Sequence, residues 1–257
     1  MVTARNNMMR ATASLFAGVV LLAACGDDPV VDNSDRVLVY TRALGVRHDD
    51  ALAAAKTALP ARLAMDHVVA DFTEDPTLFT EDNLDRYRAV IFLYTSGNDI
   101  LDPDGKLALE RFVRHGGGWL GIHSAAETET AWAFYKSMIV TYSANQAPLQ
   151  PATATLALAG HAALRNVPPE PWLASDEWYN FTSNPRSVLG VDVLATVDET
   201  TYTGGTMGTD HPIIWVQERL IGRVEFTALG HGAERWQEPA FVEHIASGIR
   251  WVTGLAL

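Results

Sequence analysis

Three features of the sequence predict an α/β fold: a doubly wound, mostly parallel sheet covered by helices, in three layers. From Arg36 onward, short apolar runs of strand length alternate with stretches of helical composition. Runs such as Ala89 to Tyr94 (AVIFLY) are unbroken in apolar character, as parallel strands buried on both faces should be. A chain of 257 residues is also long enough to bury one sizeable core.

The first element is set apart from the fold. Residues 1–24 carry Arg5 and Arg10, then an apolar run from Ala11 to Ala24 that is too short to span a bilayer. This is the pattern of a secretory signal. It ends in Leu22-Ala23-Ala24-Cys25, which resembles a bacterial lipobox, so residues 1–24 are read as a lipoprotein signal peptide and Cys25 as the lipidated residue. Residues 25–35 then form a polar tether, and 36–257 the domain. The expected location is the bacterial cell envelope, with membrane contact only through the lipid. Cys25 is the single cysteine, so no disulfide forms within the chain and no thiol is left as a nucleophile. Losing Arg5 and Arg10 makes the formal charge of −12 still more negative, which excludes nucleic acid as a partner.

Arg36 to Thr41 is the first strand, followed by a loop to His48 and an alanine-rich helix capped by Asp49 or Asp50 and limited by Pro60. Asp66 to Asp71 carries a second strand and Ala89 to Tyr94 a third, with a loop from Thr95 to Asp99. Asp102-Pro103 opens a helix that the glycines Gly116 to Gly118 stop. Trp119 to Ile122 is a buried strand ending at His123 and Ser124. Beyond it the alternation loosens: a helix over Trp132 to Ile139, then strands at Thr153 to Ala159, Asp176 to Phe181 and Val188 to Val197. This middle part is read as an insertion on the same sheet. Pro212 to Gln217 and Arg223 to Ala228 form a hairpin turning near Leu220 and Ile221, and a final helix runs from Glu238-Pro239 to Trp251.

Ligands of open parallel sheets sit outside the strand carboxyl ends. His123 stands at one such end and His231, between Gly230 and Gly232, at another. Both are suited to acid/base work near neutrality. His48 ends the loop after the first strand, and the hairpin would set His211 opposite His231. Glu234 is placed to orient His231. Ser124 is read first as a helix N-cap, since Gly121 to Ala125 is not a G-x-S-x-G elbow. Asp176 and Glu177 lie among Trp172, Trp178, Tyr179 and Phe181, a mixture that suits a sugar. Strand alternation lets only one of the two acids point into the site, and Glu177 is the choice. The catalytic set is therefore His123, His231 and Glu177, with His48, Thr95, Ser124, Asp176, Trp178 and His211 as substrate contacts. His67, His115 and His244 are read as surface or helix residues. No cofactor is required, although zinc or another divalent metal on His48, His123 and His231 is open to the geometry.

The segments Arg36 to Asp49, Phe92 to Asp104, Arg111 to Ala125, Ser175 to Phe181 and Asp210 to Gly254 together resemble the ThuA-like (trehalose utilisation) family. The resemblance implies a flavodoxin-like fold of the class I glutamine amidotransferase type and a role with disaccharides or their keto derivatives. In those amidotransferases the elbow reads Gly-Ile-Cys, whereas here it is Gly121-Ile122-His123, so no glutaminase activity is expected. A histidine that the family carries after the Trp132 helix is absent from Ile139 to Asn145. The function expected is His-based acid/base chemistry on a small carbohydrate. A non-catalytic carbohydrate-binding lipoprotein and a metal-dependent hydrolase are the alternatives.

Overall fold

The computed structural model describes residues 35–168 and 172–255, so the signal peptide, Cys25 and the tether to Ser34 lie outside the described residues. Nine strands form one sheet: β1 (Asp35–Tyr40), β2 (Val68–Thr73), β3 (Ala89–Leu93), β4 (Gly118–Ile122), β5 (Ser143–Leu156), β6 (Trp172–Phe181), β7 (Val191–Val197), β8 (Pro212–Leu220) and β9 (Gly222–Thr227). Their order is β2-β1-β3-β4-β9-β8-β7-β5-β6. The first five are parallel, in the flavodoxin-like arrangement, and carry the fully buried runs Val37–Tyr40 and Ala89–Leu93. The middle of the chain joins as an antiparallel extension, β8-β7-β5-β6.

Helices α1 (Asp49–Leu63) and α5 (Pro239–Val252) pack together beside β2, β4 and β9. The other three, α2 (Glu81–Leu84), α3 (Pro103–Arg114) and α4 (Ala133–Ile139), are joined by α2–α3 packing and by contacts of α3 and α4 with β9. Asp102 caps α3 by accepting from the Gly105 amide at 2.7 Å, with Pro103 in the first turn. Gly116, at φ +103°, ends it. Gly118 is needed for a different reason. A Cβ there would lie 2.2 Å from the Val252 carbonyl oxygen, so its absence lets the end of α5 dock on β4.

Four details differ from the sequence expectation. Pro60 lies inside α1, which continues to Leu63: the proline removes the N–H that would bond the carbonyl four residues earlier, yet the helix runs on for three more residues. Strand β5 starts at Ser143, well before Thr153, because its partner β6 supplies a ladder that composition alone does not reveal. Ser124 caps no helix: it lies within a 3₁₀ turn, His123–Glu127, whose cap position is Ile122. His244 is fully buried on α5. The hairpin β8–β9 does turn at Ile221, at φ +73°.

Candidate functional site

Three loops leave the carboxyl ends of β1, β4 and β9 and carry His48, His123 and His231. The fourth contributor arrives from the antiparallel extension. Strand β6 is the sheet's edge, yet Phe181 packs on Trp215 and Phe226, with ring centroids 5.0 and 6.0 Å apart. This anchors the β5–β6 arm over the sheet and presents Glu177 and Tyr179, on the same face of β6, to His123.

Nε2 of His123, Nδ1 of His231 and Oε2 of Glu177 form a nearly regular triangle with sides of 3.3, 3.4 and 3.6 Å. One ligand atom of His48 joins them, all four lying within 4.8 Å of one another. Its ring stands edge-on to His123 and His231 and stacks on Tyr94 at 5.3 Å. Buried Nδ1 of His48 has no hydrogen-bond partner.

Each member is oriented from behind. His123 sits at φ +56°, a left-handed conformation that costs energy for a side chain bearing Cβ and turns the ring out of the strand. Its Nδ1 is 2.8 Å from the Ala228 carbonyl oxygen. That oxygen only accepts, so Nδ1 donates and the Nε2 lone pair faces the cluster. The hydroxyl of Tyr179 reaches the same Nε2 at 3.3 Å. The turn around His231 is held by Asp176, which accepts from the amides of Gly230 (2.8 Å), His231 (2.9 Å) and Glu177 (3.0 Å) and faces Arg235 at 3.2 Å. Tyr94 holds it from below: its hydroxyl donates to the Gly230 carbonyl at 2.5 Å and accepts from Trp236 at 2.7 Å.

Protonation follows from these surroundings. Burial first, then the neighbouring His231, lowers the His123 pKa to about 4. Burial and the other two imidazoles do the same to His48, also to about 4. His231 moves upward, chiefly through its hydrogen bond with Glu177. For Glu177 burial pushes upward, but the His231 hydrogen bond and the imidazole charges prevail and its pKa falls. At neutral pH the cluster thus holds two neutral imidazoles beside a histidine–carboxylate pair.

Of the residues singled out in the sequence, the structure brings together His48, His123, Glu177 and His231. It does not bring the others to the cluster as contacts. Asp176 is fully buried, with its oxygens given to backbone amides. Trp178 is buried on the opposite face of β6, where its indole donates to the Gln150 carbonyl at 2.9 Å. Thr95 is buried and shares a hydrogen bond with Thr128 at 2.9 Å. His211 is buried too, with Nε2 donating to the Tyr179 carbonyl at 2.8 Å and Nδ1 beside Glu199. Ser124 is buried next to His123, its hydroxyl without a partner. Glu234 is exposed, and Glu177 takes the place beside His231 Nδ1. Sequence reasoning missed Tyr179, although it lies two residues after Glu177 and strand alternation puts both on one face. Tyr94 and Arg235 gave no signal, because their roles depend on long-range contacts.

A flavodoxin-like sheet with a left-handed turn after its central strand defines a protein of the class I glutamine amidotransferase fold type. A glutamine amidotransferase from Thermotoga maritima shares this fold, with a TM-score of 0.51 at 12% identity over 85% of this chain and 98% of that one. The family model described as ThuA, trehalose utilisation, matches residues 36–252, and the chain belongs to that family. Two solved ThuA-like proteins are similar throughout. One, from Bacteroides uniformis, has a TM-score of 0.73 at 25% identity, covering 85% of this chain and 91% of that one. The other, from Parabacteroides merdae, has a TM-score of 0.70 at 18% identity, covering 86% and 90%. None of the curated proteins matches the sequence.

Proposed function

We propose that this ThuA-family chain is a lipid-anchored enzyme of the bacterial cell envelope that acts on a small carbohydrate, with His48, His123, Glu177 and His231 holding a divalent metal. The observation that carries the metal reading is the triangle of donor atoms. Tetrahedral ligands at about 2.0–2.1 Å from zinc stand about 3.3–3.4 Å apart, close to the 3.3, 3.4 and 3.6 Å sides. The chemistry of the set agrees for three members: neutral His48 and His123 and an ionised Glu177 are in the forms that ligate, and His231 would give up its proton on binding. The unpartnered Nδ1 of buried His48 also fits a group whose partner is not part of the chain. A bound divalent ion would supply Lewis acidity toward a carbonyl or hydroxyl oxygen of the ligand. The chain itself fixes the His123 tautomer through Ala228, aims Tyr179 at the same nitrogen and, through Asp176, holds the turn bearing His231. The carbohydrate reading rests on the family's association with trehalose utilisation, and the anchor on Leu22-Ala23-Ala24-Cys25.

A second reading needs no metal. Nδ1 of His231, 3.4 Å from Glu177 and 3.3 Å from His123, would carry a proton between a base and a ligand hydroxyl. Elemental analysis of the purified chain separates the two. The metal reading expects about one divalent ion per chain and its loss in His123→Ala. A metal-free protein that turns over a keto-disaccharide would leave the acid/base reading, and turnover surviving in the His123→Ala, His231→Ala double variant would end both. For the anchor, Cys25→Ser should move the protein from the membrane to the soluble fraction.

A further inference from the structure

One polar row beside the cluster is not used by anything above. Glu127 closes the 3₁₀ turn that His123 opens, four residues on, and its backbone carbonyl accepts from Gly97 at 3.0 Å. Its carboxylate accepts from the Gln146 amide. Gln146 lies opposite Tyr179 in the β5–β6 ladder, and the hydroxyl of that tyrosine meets His123 Nε2 at 3.3 Å. Hydrogen bonds thus join His123 to Tyr179 and Gln146 to Glu127, and the cross-strand pairing of Tyr179 with Gln146 sets the two pairs side by side. The row starts at a fully buried imidazole and ends on an exposed amide and a half-buried acid.

We propose that Glu127 and Gln146 are the ligand-recognition pair of this site and bind two adjacent hydroxyl groups of a sugar ring whose reacting end lies at His123. This rests on the carbohydrate reading above and extends it to specificity residues. The chemistry is that of a vicinal diol. Each hydroxyl both donates and accepts, and a carboxylate beside a primary amide offers an acceptor and a donor side by side. No arginine or lysine pairs with Glu127 among the described ion pairs, so its acceptor capacity is not consumed by a cation. Burial and then the nearby charge of Glu177 push the Glu127 pKa upward, which places the two acids in one electrostatic neighbourhood. Neither Glu127 nor Gln146 is a member of the four-residue cluster. Diol binding and metal binding are thus separable by substitution.

The test uses the purified full chain and its Glu127→Gln, Gln146→Ala and His123→Ala variants. Trehalose, glucose and 2-deoxyglucose are titrated by calorimetry, with metal content measured on each sample. The expected result is that Glu127→Gln and Gln146→Ala keep the wild-type metal content and unfolding midpoint, yet bind trehalose at least about tenfold more weakly, the loss of one charged hydrogen bond. His123→Ala should lose the metal instead. A wild-type protein that binds none of the sugars overturns the proposal, as does a Glu127→Gln protein that binds them as well as wild type. Loss of metal in Glu127→Gln also overturns it, because Glu127 would then serve the centre and not the sugar. A metal-free wild type whose sugar binding still depends on Glu127 would leave this inference standing and remove the metal reading alone.

Discussion

Asp176 has no exposed surface, yet it accepts from three backbone amides and faces the guanidinium of Arg235. Burial pushes its pKa up, and Arg235 and the three N–H donors pull it back. Its role is positional: it fixes the turn that bears His231. Asp176→Asn would set an NH₂ group against an amide donor and leave Arg235, itself buried, with Glu238 as its remaining counter-charge. Breaking a buried pair in this way costs about 3–5 kcal/mol. The urea midpoint should therefore fall, and metal affinity with it, by about 10–100-fold as for other outer partners of a metal ligand. An unchanged midpoint would show that the pair contributes nothing. This residue also shows where sequence reading stops. Alternation along β6 correctly allows only one of Asp176 and Glu177 to face His123, but it cannot say that the other acid is absorbed by a loop more than fifty residues away. His123 and His231 were legible because each follows a short apolar strand with glycine beside it. His211 stands instead at the entry of β8, between Asp210 and Pro212, and only the contacts with Glu199 and Tyr179 show that both of its nitrogens are already engaged.

At the scale of elements, the parallel half of the sheet and the β8–β9 hairpin were readable, whereas the extent and pairing of β5 were not. Strands β3 and β4, and β1 from Val37 to Tyr40, are fully buried runs whose partners all impose the same requirement. The residues of β5 are mostly exposed or half-exposed, and two register shifts against β6 break any periodicity. The packing of β9 on α5 carries a burden of its own. Glu225 on β9 and His244 on α5 are both fully buried, 3.9 Å apart, and their side-chain polar atoms have no hydrogen bonds. Burial raises Glu225 well above the carboxylate range, and burial, then Arg235, lowers His244 to about 3. Both are therefore neutral in the fold. Above pH about 4.5 the unfolded chain releases the Glu225 proton while the folded chain keeps it, so folding takes up a proton. Stability contributed by this group is full below that pH and is lost as pH rises, at up to about 1.4 kcal/mol per unit. His244 acts in the opposite sense, weakening the fold as pH falls from about 6.5 toward 3. Glu225→Gln should raise Tm at pH 8 and leave it nearly unchanged at pH 4. Equal Tm values for variant and wild type across that range would mean that Glu225 is not held neutral.

On the scale of the whole molecule, the four-residue cluster joins parts of the chain that are distant in sequence: the loop after β1, the end of β4, the β6 arm and the turn after β9. No two of these ligands are neighbours in the chain, so the unfolded state cannot assemble the site. Anything bound there favours the native state alone and stabilises by RT ln(1 + [L]/Kd), about 2.7 kcal/mol at a hundredfold excess over Kd and about 4.1 at a thousandfold. Removing metal with a chelator should accordingly lower the unfolding midpoint of the wild-type protein, and adding zinc should restore it. In His123→Ala the midpoint should no longer respond to either treatment. Glu127→Gln, which leaves the cluster intact, should respond like wild type. The arm gives a further readout of the same linkage. Glu177 would hold an ion only while β5–β6 lies over the sheet, so with metal bound as proposed, backbone amides of residues 143–153 and 175–181 should exchange faster with solvent after chelation. A midpoint insensitive to chelator and zinc in the wild-type chain would mean that the triangle of donors is held by hydrogen bonding among the side chains themselves.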